Sequence, residues 1–412
     1  MKHVLIIGSV WPEPKSSAAG SRMLQLIQLL LEKGFKITFA STANPTENMH
    51  DLASIGIQKI NIEVNNSSFD TILKNLDPSI VIFDRFMIEE QFGWRVANTC
   101  PNALKILNTE DLHSLRKTRE ALLKTGKKFE HQDLLDGEIT KREIASIYRS
   151  DLSLIISDYE MELLRSSFNI NDELLHYLPF LLPSITSTTI EKWPLYEERT
   201  HFVTIGNFRH APNWNSILYL KEDIWPLIRK ELPKAELHIY GAYPPPKAMQ
   251  LHHPKDGFLI KGWVENAQEV IKNARVCLAP LRFGAGIKGK LADAMRCGTP
   301  SVTTSIGSEG MLDDDQDWNG FIKEDPYAFT KAAIHLYTNQ NLWRQSQQNG
   351  IEIINTRFQK EKFANSFYNT IDDLIANLPK HRSKNFIGSM LQHHTLRSTE
   401  YMSRWIEEKN KK

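Results

Sequence analysis

The stretch Val276-Cys277-Leu278-Ala279-Pro280-Leu281-Arg282-Phe283-Gly284-Ala285-Gly286-Ile287-Lys288-Gly289-Lys290 decides how this chain is read. It opens on an apolar run, Val276 to Pro280, of the kind a strand buried on both faces requires. It then passes through three glycines into a helix predicted over Lys288 to Arg296. Glycines at a strand-to-helix turn expose backbone N–H groups, and the helix N-terminus adds positive potential, so the turn suits a phosphate. Arg282, Lys288 and Lys290 bring formal charge to the same place. The spacing is not that of a Walker loop, because Leu291 follows Lys290 where Ser or Thr would stand. Asp293, one helical turn on, can accept two ribose hydroxyls, as in dinucleotide sites, or can simply suit a first helical turn. Both readings stand at this level.

Outward from this segment the pattern repeats. Strands are predicted at His201 to Ile205, Glu236 to Tyr240, Phe258 to Ile260 and Ser301 to Thr303, with helices at Asn215 to Lys230 and Ala267 to Asn273. The first half alternates likewise, with apolar runs at Val4 to Ile7, Lys36 to Ala40, Ile60 to Val64, Ile80 to Phe83, Leu104 to Leu107 and Leu152 to Ile156. Alternation of this kind implies α/β units with parallel sheets. Pro179, Pro183 and Pro194 break the pattern between the halves. The expected organisation is a domain over 1–185, a second over 198–378 and a helical tail over 379–412. Residues 115 to 147, dense in Lys, Arg and Glu, read as solvated helix.

Composition narrows the function. The 412 residues are 41% hydrophobic, enough for two or three cores, and 50 Lys and Arg stand against 49 Asp and Glu. A formal charge of +1 argues against a dedicated nucleic-acid binder. Cys100, Cys277 and Cys297 form neither a disulfide framework nor a CxxC knuckle, which makes the cytoplasm the default compartment. Val4 to Gly8 is too short for a signal-peptide core and reads as a first strand. Ligands of open α/β sheets bind beyond the carboxyl ends of strands. Gly20, in the small-residue loop after the first strand, would let backbone approach such a ligand. Asp84 and Arg85, ending the Ile80 to Phe83 strand, read either as acceptor contacts or as a structural ion pair. The tail, Phe386 to Ile406, either packs on the body or lies on a membrane surface beside Lys380-His381-Arg382.

The segment Pro280 to Lys290, with Asp293-Ala294-Met295, Gly298-Thr299-Pro300 and Ile306-Gly307-Ser308-Glu309-Gly310, resembles the donor site of GT-B glycosyltransferases, and among them family 4. Gly206 to Asn213, Asn108 to His113 and Asp151 to Glu160 extend the resemblance over most of the chain. It implies two Rossmann-like domains whose parallel sheets face a cleft, with a C-terminal helix returning toward the first. It implies a sugar moved from a nucleotide-diphosphate-sugar to a hydroxyl of a glycan, lipid-linked or protein acceptor, with retention and no metal or other cofactor, in surface polysaccharide or glycoconjugate synthesis. By the same resemblance Lys288 and Arg282 meet the diphosphate, Asp293 the ribose, and Trp263 and Val264 the base, with Gly20, Gly286 and Lys290 also among the donor-binding residues. Gly206, Asn207 and Asn213 line the donor, and His113 is the catalytic residue, with Asp111 beside it on the acceptor side. A cytoplasmic enzyme, with a peripheral contact to the inner face of the membrane left open, fits that role.

The chain departs from the family pattern at three positions. Ala285 stands where a Glu is often found, and Asn207 and Asn213 stand where many members have Arg and Lys. Those departures keep a non-catalytic GT-like subunit in view, alongside a nucleotide-sugar 2-epimerase. A dehydrogenase is disfavoured, since no GxGxxG follows the first strand. Asp313 to Asp317 reads as a polar loop, and His252-His253 and His393-His394 lack a ligand spacing.

Overall fold

The computed structural model describes residues 2–411, the Thr395 side chain excepted. The first sheet contains β1 (His3–Gly8), β2 (Lys36–Ser41), β3 (Gln58–Asn61), β4 (Ile80–Asp84), β5 (Leu104–Asn108), β6 (Leu152–Ile155) and β7 (Leu175–Tyr177). The second contains β8 (Phe202–Ile205), β9 (Leu237–Tyr240), β10 (Phe258–Gly262), β11 (Val276–Ala279), β12 (Ser301–Thr303) and β13 (Gly320–Ile322). Their orders are β3-β2-β1-β4-β5-β6-β7 and β10-β9-β8-β11-β12-β13, and neighbouring strands run parallel, as in β1 beside β4 and β8 beside β11. In each sheet the order reverses once, between those two pairs. The crevice at such a reversal lies beyond the carboxyl ends of the strands, which is where a ligand has room.

Alternation along β1 shows how the first core is built. Leu5 and Ile7 face one hydrophobic cluster with Val81, Phe83 and Leu107. Val4 and Ile6 face the other with Ile80, Ile82 and Ile106, as the two-residue period of a strand dictates. That second cluster also takes Phe367, Ile371 and Leu378. These residues lie on the helix Lys360–Lys384, at spacings that form one face of a helix. The return to the first domain therefore begins near Lys360 and not at 379, because the apolar stripe from Phe363 onward matches the first sheet. The two crossings run together: Leu182 N–H donates to the Phe358 carbonyl at 2.8 Å, and Lys360 N–H to the Leu182 carbonyl at 3.2 Å.

Other boundaries also move. The third strand covers Gln58–Asn61 and not Ile60 to Val64. The helix expected from Asn215 starts at Ala211 with Pro212 in its first turn, continues through a wider π turn over 220–224, and ends at Glu231. Proline suits a first helical turn because its missing N–H has no partner to lose there. The charged stretch 115–147 is not merely a solvated face. It forms the helices His113–Thr125 and Glu138–Arg149, and Arg119, Glu143 and Arg149 are buried. Glu143 accepts the His113 and Ser114 N–H groups at 2.9 Å each, serving as the cap that the first of these helices lacks in its own sequence.

Arg149 is answered by Glu89 on the helix Phe86–Thr99, with contacts of 3.0 Å from Nε to Oε1 and 2.5 Å from Nη2 to Oε2. Both side chains are almost wholly buried. Removing one partner of such a pair strands the other charge. Glu89→Ala should therefore destabilise the first domain by about 3–5 kcal/mol, and Glu89→Ala/Arg149→Met should recover most of that loss. Urea unfolding followed by circular dichroism is the check. A single variant within about 1 kcal/mol of wild type would show the pair to be dispensable.

Candidate functional site

Loops from the carboxyl ends of both sheets enclose a cavity of about 510 Å³, within the range of small-ligand pockets. Its second-sheet wall is built from Gly206, Asn207 and Asn213 after β8, Gly241 after β9, Trp263 and Val264 after β10, and Phe283 to Lys290 with Asp293 after β11. Arg85, Glu110, Asp111, His113 and Arg116 form the opposite wall. A smaller pocket of about 250 Å³ adjoins it, sharing Ser16, Arg85, Glu110, Asn207 and Arg209, and reaching Glu13, Gly20, Asp84 and Tyr243.

The glycine-rich loop is shaped by close approach. Gly286 has φ +61°, and a Cβ there would lie 2.9 Å from the Cβ of Asp111. A Cβ on Gly289 would lie 2.5 Å from that of Ala18. Glycine at both positions lets the second-sheet loop touch the first domain. The helix Gly289–Arg296 has Lys288 at its N-cap position and no side-chain cap, so its first N–H groups are placed to receive an anion. Lys288 is buried, and its Nζ donates to the Gly286 carbonyl at 2.5 Å. Burial lowers its pKa, against the pull of Glu309. Lys290 Nζ donates to Asn213 Oδ1 at 2.8 Å, and Asn213 Nδ2 to the Asn207 carbonyl at 3.0 Å. Asn213 thus holds a cation supplied by another element, and the Asn207 carbonyl orients the Asn213 amide.

Across the cavity, His113 Nε2 lies 3.3 Å from Asp111 Oδ1, and its ring meets Phe86 edge-on. Burial pushes its pKa down to about 4 despite Asp111, so the imidazole is neutral near pH 7. Burial opposes the Asp111 charge, but Arg116, 2.6 Å away through Nε, and His113 outweigh it and hold the carboxyl below its usual range. Asp84 and Arg85 are joined through Ser9, whose Oγ donates to Asp84 Oδ2 at 3.0 Å and receives Arg85 Nη1 at 2.5 Å. Arg85 and Glu110 hold positive φ values of 74° and 63°, a strained arrangement for non-glycine residues that clusters at functional sites.

Two expected donor contacts are elsewhere. Arg282 points off the cavity, with Nε on Asn215 Oδ1 at 2.9 Å and its guanidinium over the Tyr219 ring. The apolar side chains at 281 and 283 are buried, which turns position 282 outward. Gly20 lies in the helix Ala18–Glu32 beside the smaller pocket, and a Cβ there would strike the Glu13 backbone at 2.4 Å. Its part is steric. Asp313 pairs with Arg357, which also holds Asp158.

Several residues with a clear role carried no single-residue signal. Glu160 Oε1 accepts the N–H of Leu112 at 2.9 Å and of Gly286 at 2.8 Å. Arg119 grips Glu309 with two bonds of 2.8 and 2.7 Å and donates to the Gly284 carbonyl at 2.9 Å. Tyr243 OH donates toward Glu13, and Lys15 pairs with Glu265 at 2.9 Å. Glu160 and Glu309 do fall inside the segments Asp151 to Glu160 and Ile306 to Gly310. Ala285 is packed in the first domain's core cluster, and among the carboxylates that pull on Lys288 the charge of Glu309 acts most strongly, ahead of Glu160 and Asp111.

Residues 199–339 match the family described as glycosyl transferases group 1. The chain superposes on sucrose-phosphate synthase of Thermosynechococcus elongatus with a TM-score of 0.68 at 14% identity, over 91% of this chain and 100% of that one. It superposes on HepE of Anabaena, in complex with UDP and glucose, with a TM-score of 0.65 at 10% identity, over 90% and 100%. The fold is GT-B. At the sequence level, 199 residues are 25% identical to an uncharacterized 44.6 kDa protein in the cps region of Klebsiella pneumoniae. That match covers 47% of this chain and 50% of the relative, so the chain aligns with about half of that protein's length.

Desolvation in the cavity wall pushes Lys290 down to about 8. A bound diphosphate favours the cation and raises that value, so affinity is full below the free-protein pKa and falls as pH rises through it. Nucleoside diphosphate binding, measured by calorimetry, should weaken about tenfold between about pH 7 and about pH 9. Lys290→Met should bind more weakly and lose that part of the slope. A wild-type affinity that stays flat over this interval would show that Lys290 does not meet the nucleotide's phosphates.

Proposed function

We propose that this chain is a glycosyltransferase that moves a sugar from a nucleoside-diphosphate donor to an acceptor hydroxyl, with retention at the anomeric carbon and without a metal ion. The observation that carries the reading is the uncapped helix N-terminus at Gly289, flanked by Lys288 and Lys290, facing His113 across one cavity. As the glycosidic bond breaks, negative charge develops on the departing diphosphate, and donors already aimed at that place stabilise it without rearranging. Lys288, Lys290 and the helix N–H groups supply them. Asp293, in the cavity wall, is assigned to the ribose, and Trp263 and Val264 to the base. His113, neutral near pH 7, hydrogen-bonds the sugar or the incoming acceptor oxygen and carries no charge of its own to the reaction. The acceptor is assigned to the smaller pocket, where Asp84, Arg85 and Glu110 meet Glu13 and Tyr243. The cps-region relative and the UDP-bound HepE structure favour surface polysaccharide synthesis and a uridine donor.

Release of nucleoside diphosphate from a panel of UDP-, GDP-, ADP- and dTDP-sugars, with candidate acceptors present, tests the reading. His113→Ala should lower the transfer rate by roughly a hundredfold. Its nucleoside diphosphate affinity and melting temperature should match wild type, because the second domain holds the nucleotide. A variant that melts several degrees lower yet transfers at a near-normal rate would make His113 structural.

Transfer should also survive EDTA, since the cations of the chain itself face the diphosphate. Among the described residues no three His, Cys, Asp or Glu side chains are grouped to hold a metal. Activity abolished by chelation and restored by Mg²⁺ or Mn²⁺ would overturn the metal-free mechanism.

A further inference from the structure

The helix Phe386–Asn410 packs on the first domain's helices Phe86–Thr99 and Glu138–Arg149 through a mostly polar side, on which Leu396 is buried. Asn385, which caps it, and Gln392 donate to the Tyr148 and Arg149 carbonyls at 2.7 and 3.0 Å. Further along, Glu407 lies 3.7 Å from Arg95 and accepts Ser67 N–H at 3.0 Å. Gly388 lets the helix sit directly on the backbone of Tyr148, where a Cβ would come within 2.1 Å of the carbonyl oxygen. The face turned away from the protein carries Phe386, Ile387, Met390, Tyr401, Met402 and Trp405, which are 45 to 76% exposed. At 100° per residue these six fall on one side of the helix, opposite Gly388, Gln392, Leu396 and Ser403. A surface helix ordinarily does the reverse, burying its apolar stripe and wetting its polar one.

The charge around this face is as uneven as its polarity. Residues 380–412 contain eight Lys and Arg against three Asp and Glu, in a chain whose total is only +1. Arg397 and Lys409 stand on the same helix, and the Lys409 ammonium lies 5.2 Å from the Trp405 ring centre. Basic side chains beside exposed Trp, Tyr, Phe and Met form the pattern of a helix that lies in a bilayer interface, with the apolar face sunk among the acyl chains and the cations at anionic headgroups. A second copy of the chain would bring like charge against like charge. No helix among the described residues is long and apolar enough to cross a membrane, so the contact would be one of surface docking.

We propose that the outer face of the helix Phe386–Asn410 docks the protein on an anionic lipid bilayer, lying flat over the roughly 28 Å that separate Phe386 from Trp405 along the helix. The inference stands apart from the donor site, and its test does not depend on transferase activity. Full-length protein should co-sediment with vesicles of phosphatidylcholine and phosphatidylglycerol, and much less with phosphatidylcholine alone. Binding should fall steeply as salt rises, because the headgroup attraction is screened. Tyr401→Glu/Trp405→Glu alters only exposed side chains, and should cut the partition coefficient at least about tenfold with an unchanged melting temperature. Arg397→Glu/Lys409→Glu should do the same through charge, at about fivefold or more for each residue. Wild-type protein that ignores anionic vesicles at low salt would overturn the proposal, as would apolar-face variants that bind like wild type. A lipid-free dimer that these substitutions convert to monomer would assign the face to self-association instead.

Discussion

Glu160 accepts N–H groups from two loops that belong to different sheets, Leu112 after β5 and Gly286 after β11. The rest of the site depends on that bridge. Burial raises the pKa of this carboxyl, while both N–H donors work to lower it. The bridge sets how closely the His113 loop and the glycine-rich loop can approach. It is also why Gly286 must be glycine, since the approach it enforces leaves no space for a Cβ beside Asp111. Arg119 reinforces the same junction from a second direction, binding Glu309 and the Gly284 carbonyl together. The cavity therefore has walls from both domains held by hydrogen bonds that neither domain could satisfy alone.

Two strained residues line the cavity beside this junction. Arg85 and Glu110 follow β4 and β5 in conformations that cost about 1–3 kcal/mol each, and both line the two pockets. The hydrophobic layers around β1, β4 and β5 hold these strand ends in place, since each of the three is buried along nearly its whole length. Arg85 is oriented further by Ser9 and Asp84. Rigid strands thus carry polar groups to a crevice where the backbone would not go by itself.

The α/β pattern was legible in the sequence because buried parallel strands read as short continuous apolar runs, and Val4 to Ile7 and Val276 to Ala279 leave little else to choose. The glycine-rich loop was legible for a related reason: its glycines and cations are adjacent in the chain. Where a role depends on a partner far away, the sequence was nearly silent. Glu309 and Arg119 are 190 positions apart, and Glu160 reaches Gly286 across 126. Neither spacing marks the residues as a pair. Arg282 illustrates the opposite error, a cation in the right loop whose direction is set by the buried Leu281 and Phe283 on either side. The domain return at Lys360 was missed because an amphipathic stripe such as Phe367, Ile371 and Leu378 does not reveal which sheet it will cover.

The central claim is that the second-domain loop and helix bind a nucleoside diphosphate through Lys288 and the N–H groups beside it. Calorimetric titration of UDP, GDP, ADP and dTDP into wild type and Lys288→Ala tests it without any need to know the acceptor. One of the four should bind wild type clearly, and the variant should bind it about ten- to a hundredfold more weakly, the loss expected for a charge-assisted hydrogen bond to phosphate. Equal affinity in the two proteins, or no binding of any of the four to wild type, would contradict the account.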